Sequence, residues 1–253
     1  MAAAEMLGPP RVRRMLAGLP GRALNFDPAA LRDADPGKGW RITDLRQTLP
    51  GEPPGPPLPD GSWEIARRLM RGYEFADPSI VHAYYDPAIP LENRNMVLEL
   101  RALGVLHLLV GVRVAEVYER ESRIGTRPVT VWGWSYRTLE GHVEMGQMDW
   151  QVWKWADSGE VEFRVHAVSR EAPIANPIVA LGFRLLRGRE RERFLQSTRR
   201  RMRTFVELAL ADPDRGGEPV RAAAAELTAR RSPADDPAHA ELARGLDHEG
   251  GSV

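Results

Sequence analysis

The chain contains no cysteine. This excludes disulfides and thiolate metal sites, and it fits a reducing compartment, so a cytoplasmic protein is expected. Long apolar runs are also missing. The opening MAAAEMLGPPRVRRML carries arginines but no apolar stretch of signal-peptide length, and no later segment approaches the roughly 20 apolar residues of a membrane span. Stable membrane insertion is therefore not expected. Neither sign of charge is in excess, with 35 basic and 35 acidic side chains, so nucleic acid is not an expected partner. There is no Gly-rich phosphate loop, dinucleotide fingerprint, G-x-S-x-G elbow, or H-x-x-x-H or H-E-x-x-H pair, and neither a cofactor nor a metal is expected.

Large apolar residues are scarce at both ends. Residues 1–22 and 212–253 are rich in Ala, Gly, Pro, Asp and Arg and are expected to be a disordered arm and a low-complexity, disordered tail. One domain, residues 23–211, remains between them. Its centre is Val131 to Arg170, where five of the seven tryptophans lie and three runs of β-type sequence are joined by Gly-containing turns. Alternating apolar, β-branched and aromatic residues between such turns predict consecutive antiparallel strands. In the third run Val161, Phe163, Val165 and Ala167 point one way while Glu162, Arg164 and His166 point the other. In the second, Met148, Trp150 and Val152 share one face but Trp153 and Trp155 share the opposite one, a phase change that predicts a β-bulge.

Upstream, Trp40 to Leu49 predicts a first strand, and the proline-rich stretch Pro50 to Gly61 an extended linker or exposed loop. A short helix capped by Ser62 buries Ile65, Leu69 and Met70, and Asp77-Pro78 is the start signal of a second helix to Tyr85. Asn95 to Leu103 and Val105 to Tyr118 are strands turning at Gly104, followed by a polar loop from Glu119 to Pro128. After Asn176-Pro177 the period becomes helical to about Leu210, with a break at Gly188 allowed for. Phe194, Thr198, Met202, Phe205 and Ala209 form its apolar stripe, and nine arginines between Arg184 and Arg203 cover much of the rest. The fold class is α+β: a curled antiparallel sheet gripping a long C-terminal helix. The space between sheet and helix is expected to be apolar and suited to a small molecule.

Trp132, Trp134, Tyr136, Trp150, Val152, Phe163, Val165, Phe194 and Met202 are the candidate ligand-binding wall; Trp153 and Trp155 belong to the same aromatic set. Plain core is the competing reading, and in a sheet grasped by a helix both are the same surface. His142 and Glu144, in the turn Glu140-Gly141-His142-Val143-Glu144, are the catalytic candidates. A histidine between carboxylates is expected to hold one tautomer with raised proton affinity. The alternative, a ring that satisfies turn backbone groups, is favoured. The basic helix face is either a phosphate or partner surface or simply solvated.

The segments GYEFADPSIVHAYYDP, NMVLELRALGVLHLLVGVRVAEVY, WGWSYRTLEGHVEMGQMDWQVWKW, GEVEFRVHAVSR and NPIVALGFRLL resemble the family known as domain of unknown function 1990 over roughly Gly72 to Leu208. The most specific piece is Y-x-T-L-x-G-H-x-x-x-G, from Tyr136 to Gly146. That family is similar in element order to the helix-grip superfamily of Bet v 1 allergens, START domains and polyketide cyclases. The resemblance implies a binding protein for a lipid, polyketide or isoprenoid-like molecule. It leaves an enzyme of cyclase or hydratase type, or a partner-binding module using the basic helix, as alternatives. It assigns no catalytic residue, and ligand identity and oligomeric state are not legible.

Overall fold

The computed structural model describes residues 7–102, 106–173 and 177–211. In chain order the elements are α1 (Pro10–Gly18), β1 (Arg41–Leu49), α2 (Ser62–Arg71), β2 (Val81–Tyr84), β3 (Asn95–Ala102), β4 (Leu106–Ile124), β5 (Arg127–Thr138), β6 (Glu144–Trp155), β7 (Val161–Glu171) and α3 (Pro177–Ala211). The strands form one seven-stranded sheet in the order β1-β7-β6-β5-β4-β3-β2, and every neighbouring pair is antiparallel. The chain is thus an α+β protein with its long C-terminal helix against one face of the sheet, as the sequence predicts.

The period of two along the strands builds the inner face. Trp134 lies opposite Trp150, which lies opposite Val165; one step along, Trp132, Val152 and Phe163 align, and on the other side Tyr136, Met148 and Ala167. All are buried. From α3, Phe194, Leu195, Met202, Phe205 and Val206 close over the same cluster. The helix runs unbroken through Gly188. Helix α2 buries Trp63, Ile65, Ala66, Leu69 and Met70, with Glu64 in its first turn and Arg68 and Arg71 in its last, where each complements the helix dipole.

Several elements differ from the sequence expectation. The N-terminal arm is ordered from Pro10 to Gly18: Val12 and Leu19 are fully buried beside Tyr84, Val97 and Leu139 on the outer face of the sheet. Few apolar residues suffice because they fall on one helical side. Pro78 to Tyr85 is not a helix. The Asp77 carboxylate does accept the Ser79 amide at 3.0 Å, but the chain makes a single turn and enters β2, where Val81 to Tyr84 pair with β3. β-Branched and aromatic residues prevail there over the helix-start signal.

Gly61, not Ser62, holds the cap position of α2, and the Trp63 amide is satisfied by the Glu52 carboxylate at 2.9 Å. The proline-rich stretch is irregular, as expected, yet it is tied to the sheet. Lys154 Nζ, fully buried, donates to the Pro53 carbonyl at 2.7 Å and pairs with Glu52 at 3.4 Å. Glu119 to Pro128 is mostly strand, and β4 and β5 meet at a two-residue turn whose Gly125 has φ +62°. Strand β6 pairs without a register shift, and the bulge lies instead in β4 between Val114 and Glu116. Trp155 is accommodated by a second apolar cluster on the outer face with Val129 and Val131, against which Trp153 packs. The Gly104 turn and the tail 212–253 lie outside the described residues.

Candidate functional site

All nine residues of the expected wall, Trp132, Trp134, Tyr136, Trp150, Val152, Phe163, Val165, Phe194 and Met202, belong to one buried cluster on the inner face. Trp150 is its hub. Its ring stacks on Phe163 at 6.1 Å and 12°, meets Phe194 of α3 edge-on at 6.2 Å, and lies 6.5 Å from Tyr136. Two aromatics missing from the expected wall complete the set: Phe75 sits 4.6 Å from Trp150, and Tyr73 meets Trp150 at 6.0 Å and Trp134 at 6.1 Å. Both come from the irregular segment after α2, where no periodicity marks a buried residue. The aromatic pair two residues apart in Gly72-Tyr73-Glu74-Phe75 is the signal that was available.

Tyr73 reaches this position at a cost. It follows the last turn of α2 with φ +57°, a left-handed conformation usually given to glycine. The Tyr73 amide bonds the Met70 carbonyl at 3.2 Å and the Glu74 amide bonds the Leu69 carbonyl at 3.0 Å, the pair of bonds that ends a helix in a Schellman turn. A tyrosine there costs about 1–2 kcal/mol in backbone strain, and the return is a phenol placed inside the cluster. Burial raises the Tyr73 phenol well above its usual range, and the neighbouring Tyr136 raises it further. Burial likewise pushes Tyr136 up to about 12. Both phenols stay protonated and neutral at any physiological pH, and Tyr136 donates to Met148 Sδ at 3.2 Å.

The inner face also holds polar atoms without partners. Trp134 Nε1, Trp150 Nε1 and Thr198 Oγ1 make no hydrogen bond, although their residues are 1%, 0% and 0% exposed. A buried donor left unmet costs about 1–3 kcal/mol.

His142 and Glu144 lie at the turn between β5 and β6. His142 is half-buried, and its Nδ1 accepts the Glu144 amide at 2.9 Å, which places the ring proton on Nε2. Burial pushes the imidazole down to about 4, opposite to the raised proton affinity expected from the two carboxylates. Asn25 donates to the Glu144 carbonyl at 2.9 Å and Arg22 to the Glu140 carbonyl at 3.1 Å, so the turn is braced from the N-terminal segment. The Glu144 carboxylate pairs with Arg191 of α3 at 3.6 Å.

The arginines of α3 are largely engaged. Arg191 also donates to Thr43 Oγ1 at 3.0 Å, Arg199 to Gln47 Oε1 at 3.3 Å, and Arg201 to the Glu74 carbonyl at 3.4 Å, while Arg193 and Arg203 pair with Glu190 and Glu207. Much of the basic face fastens the helix to β1 and to the segment after α2. On the outer face, His166 pairs with Asp44 at 2.8 Å and Arg164 pairs with Glu162 while lying over the Trp153 ring at 3.7 Å. A cluster with no sequence signal gathers around Glu99, whose carboxylate meets His107 at 2.8 Å, Arg101 at 2.8 Å, Tyr84 at 3.0 Å and Arg11 of α1 at 3.3 Å. No group of side chains suited to a metal ion occurs among the described residues.

Among solved structures the chain is similar to Ara h 8.0201, at 9% identity and a TM-score of 0.36, covering 65% of this chain and 98% of that one. It is also similar to human STARD10, at 10% identity and a TM-score of 0.30, covering 67% and 77%. No curated protein matches it. Residues 27–198, more than half the chain, match a family described as Domain of unknown function (DUF1990), a span that starts upstream of Gly72 and takes in β1. The chain belongs to that family.

Proposed function

We propose that this protein binds a small apolar molecule, of lipid, polyketide or isoprenoid kind, between the inner face of the sheet and α3. The observation that carries this reading is the gathering of Trp134, Tyr136, Trp150, Phe163 and Phe194 with Tyr73 and Phe75 into one aromatic surface under the helix. That surface includes a tyrosine held in a strained backbone conformation. Strain of this kind is retained where a side chain must be placed for a task. Broad aromatic walls with a few polar atoms suit ring systems and acyl chains.

No observation favours His142 as a general base, since its Nδ1 is occupied by the Glu144 amide. The partner-module reading loses ground because Arg191, Arg199 and Arg201 are used within the fold. The test is native mass spectrometry of the full chain purified gently from its own host, paired with uptake of a fluorescent apolar probe. A retained apolar metabolite or saturable uptake is expected. Protein free of adduct that also takes up no probe overturns the reading.

A further inference from the structure

Trp134 and Trp150 are direct partners across the β5–β6 ladder, so both side chains leave the inner face from neighbouring positions. Each carries an N–H that meets no acceptor, and each residue is at most 1% exposed. Thr198 lies one helical turn from both Phe194 and Met202, on the stripe of α3 that faces the sheet, and its hydroxyl is unpartnered as well. Tyr73 touches both indoles from the third side. An indole nitrogen can only donate. The two indole N–H groups are thus buried donors that meet no acceptor within the fold.

Resting on the binding reading above, we infer that the ligand is an apolar molecule carrying a neutral hydrogen-bond-accepting oxygen, a ketone, quinone or ester carbonyl, and that Trp134 Nε1 and Trp150 Nε1 anchor it. A carbonyl oxygen has two lone pairs and can accept from two donors at once. Neutrality follows from the surroundings. The charged groups acting on the Tyr136 phenol, Arg191 and Glu144, already pair with each other at 3.6 Å. A carboxylate entering this cluster would lose its hydration without gaining a counter-charge. Both phenols remain protonated and add no charge.

The experiment compares two probes on the full chain. One is prodan, a naphthalene with a dimethylamino group and a propionyl ketone, whose emission shifts to the red when its carbonyl accepts a hydrogen bond. The other is the analogue in which that ketone is reduced to a methylene. Wild-type protein is expected to prefer prodan by about tenfold, a difference worth about 1.4 kcal/mol, with red-shifted emission from the bound state. In W134F/W150F, which keeps ring area but removes both N–H groups, the ratio of the two affinities is expected to fall to about one. Should the double variant not fold, W134F and W150F are read singly, each losing about threefold of the preference.

Equal binding of both probes by the wild type overturns the anchor and leaves the binding reading standing, with the N–H groups resting on neighbouring ring faces. A preference that survives the double substitution also overturns it, because the oxygen is then held elsewhere. Binding of neither probe overturns the binding reading and the anchor together.

Discussion

A buried carboxylate on the outer face of the sheet and two buried indoles on the inner face are treated in opposite ways. On the outer face Glu99 is only 3% exposed, yet its carboxylate is met by His107, Arg101, Tyr84 and Arg11. Arg127 is held in the same manner, donating to Asp157 at 2.7 and 3.1 Å while stacking over Trp155. On the inner face Trp134, Trp150 and Thr198 keep polar atoms that nothing meets. A chain that can saturate a buried carboxylate with four donors has the means to satisfy two indoles. The contrast is between a buried carboxylate whose partners all lie within the fold and two buried indoles whose N–H groups find none there.

The comparison breaks most readily at Trp150. Removing a ring in contact with Tyr73, Phe75, Tyr136, Phe163 and Phe194 takes out the centre of the inner cluster. Trp150→Ala is expected to cost about 3–5 kcal/mol in denaturant unfolding and to abolish probe uptake. A loss of uptake with a small stability loss would show that the ring lines space and not packing. Unchanged uptake after a large stability loss would make it core alone.

Glu99→Gln tests the outer face and is expected to cost less, about 1–2 kcal/mol. Its partners Arg11, Arg101 and His107 are partly exposed and can return to water. Burial alone would raise the Glu99 pKa, but hydrogen bonds from His107, Arg101 and Tyr84 outweigh it and hold the carboxyl at about 2. The folded chain then takes up this proton less readily than the unfolded chain. Its contribution is complete above the ordinary value of 4.5 and is lost as pH falls toward about 2. The variant should flatten the stability curve in that acid window and leave probe affinity within about twofold.

The smallest effect is expected at His142. Burial holds the imidazole at about 4, below its ordinary 6.5, so neutral histidine stabilises the fold above 6.5 and that contribution fades as pH drops toward 4. His142→Gln should remove this slope, shift stability near neutrality by less than about 1 kcal/mol, and change apolar-probe affinity less than about tenfold. Abolished turnover of a native metabolite with binding intact would instead make His142 the base of an enzyme.

How much of this could be read from the residues depended on where each element keeps its partners. Strands β5 to β7 and the stripe Phe194, Met202 and Phe205 were legible because one face of each is buried along its whole length, so their periods survive in the sequence. Strand β4 beyond Tyr118 was not: Glu119 to Ser122 are exposed, and exposed strand reads as loop. Composition marked the arm before Ala23 as disordered, but Val12, Met15, Leu16 and Leu19 fall on one helical side and dock on the sheet. The burial of the cluster residues on regular strands was legible in their period, whereas that of Tyr73 and Phe75 was not, because an irregular segment carries no period. The Glu99 cluster draws on α1, β2, β3 and β4, and no local pattern reports a meeting of four elements.

The pairing of β1 with β7 has a consequence for synthesis. Among the described residues β1 lies at the edge of the sheet, and its sole ladder partner there is the last strand, β7, with five others made in between. On a ribosome that strand emerges first and waits longest, its backbone groups open to any other extended chain. Its sequence suits the delay. Arg41, Asp44 and Arg46 interrupt the apolar positions Ile42 and Leu45, and charges so placed discourage pairing with strangers. The first strand to be translated thus closes the sheet only when β7 arrives, and until then its charges act as its chaperone.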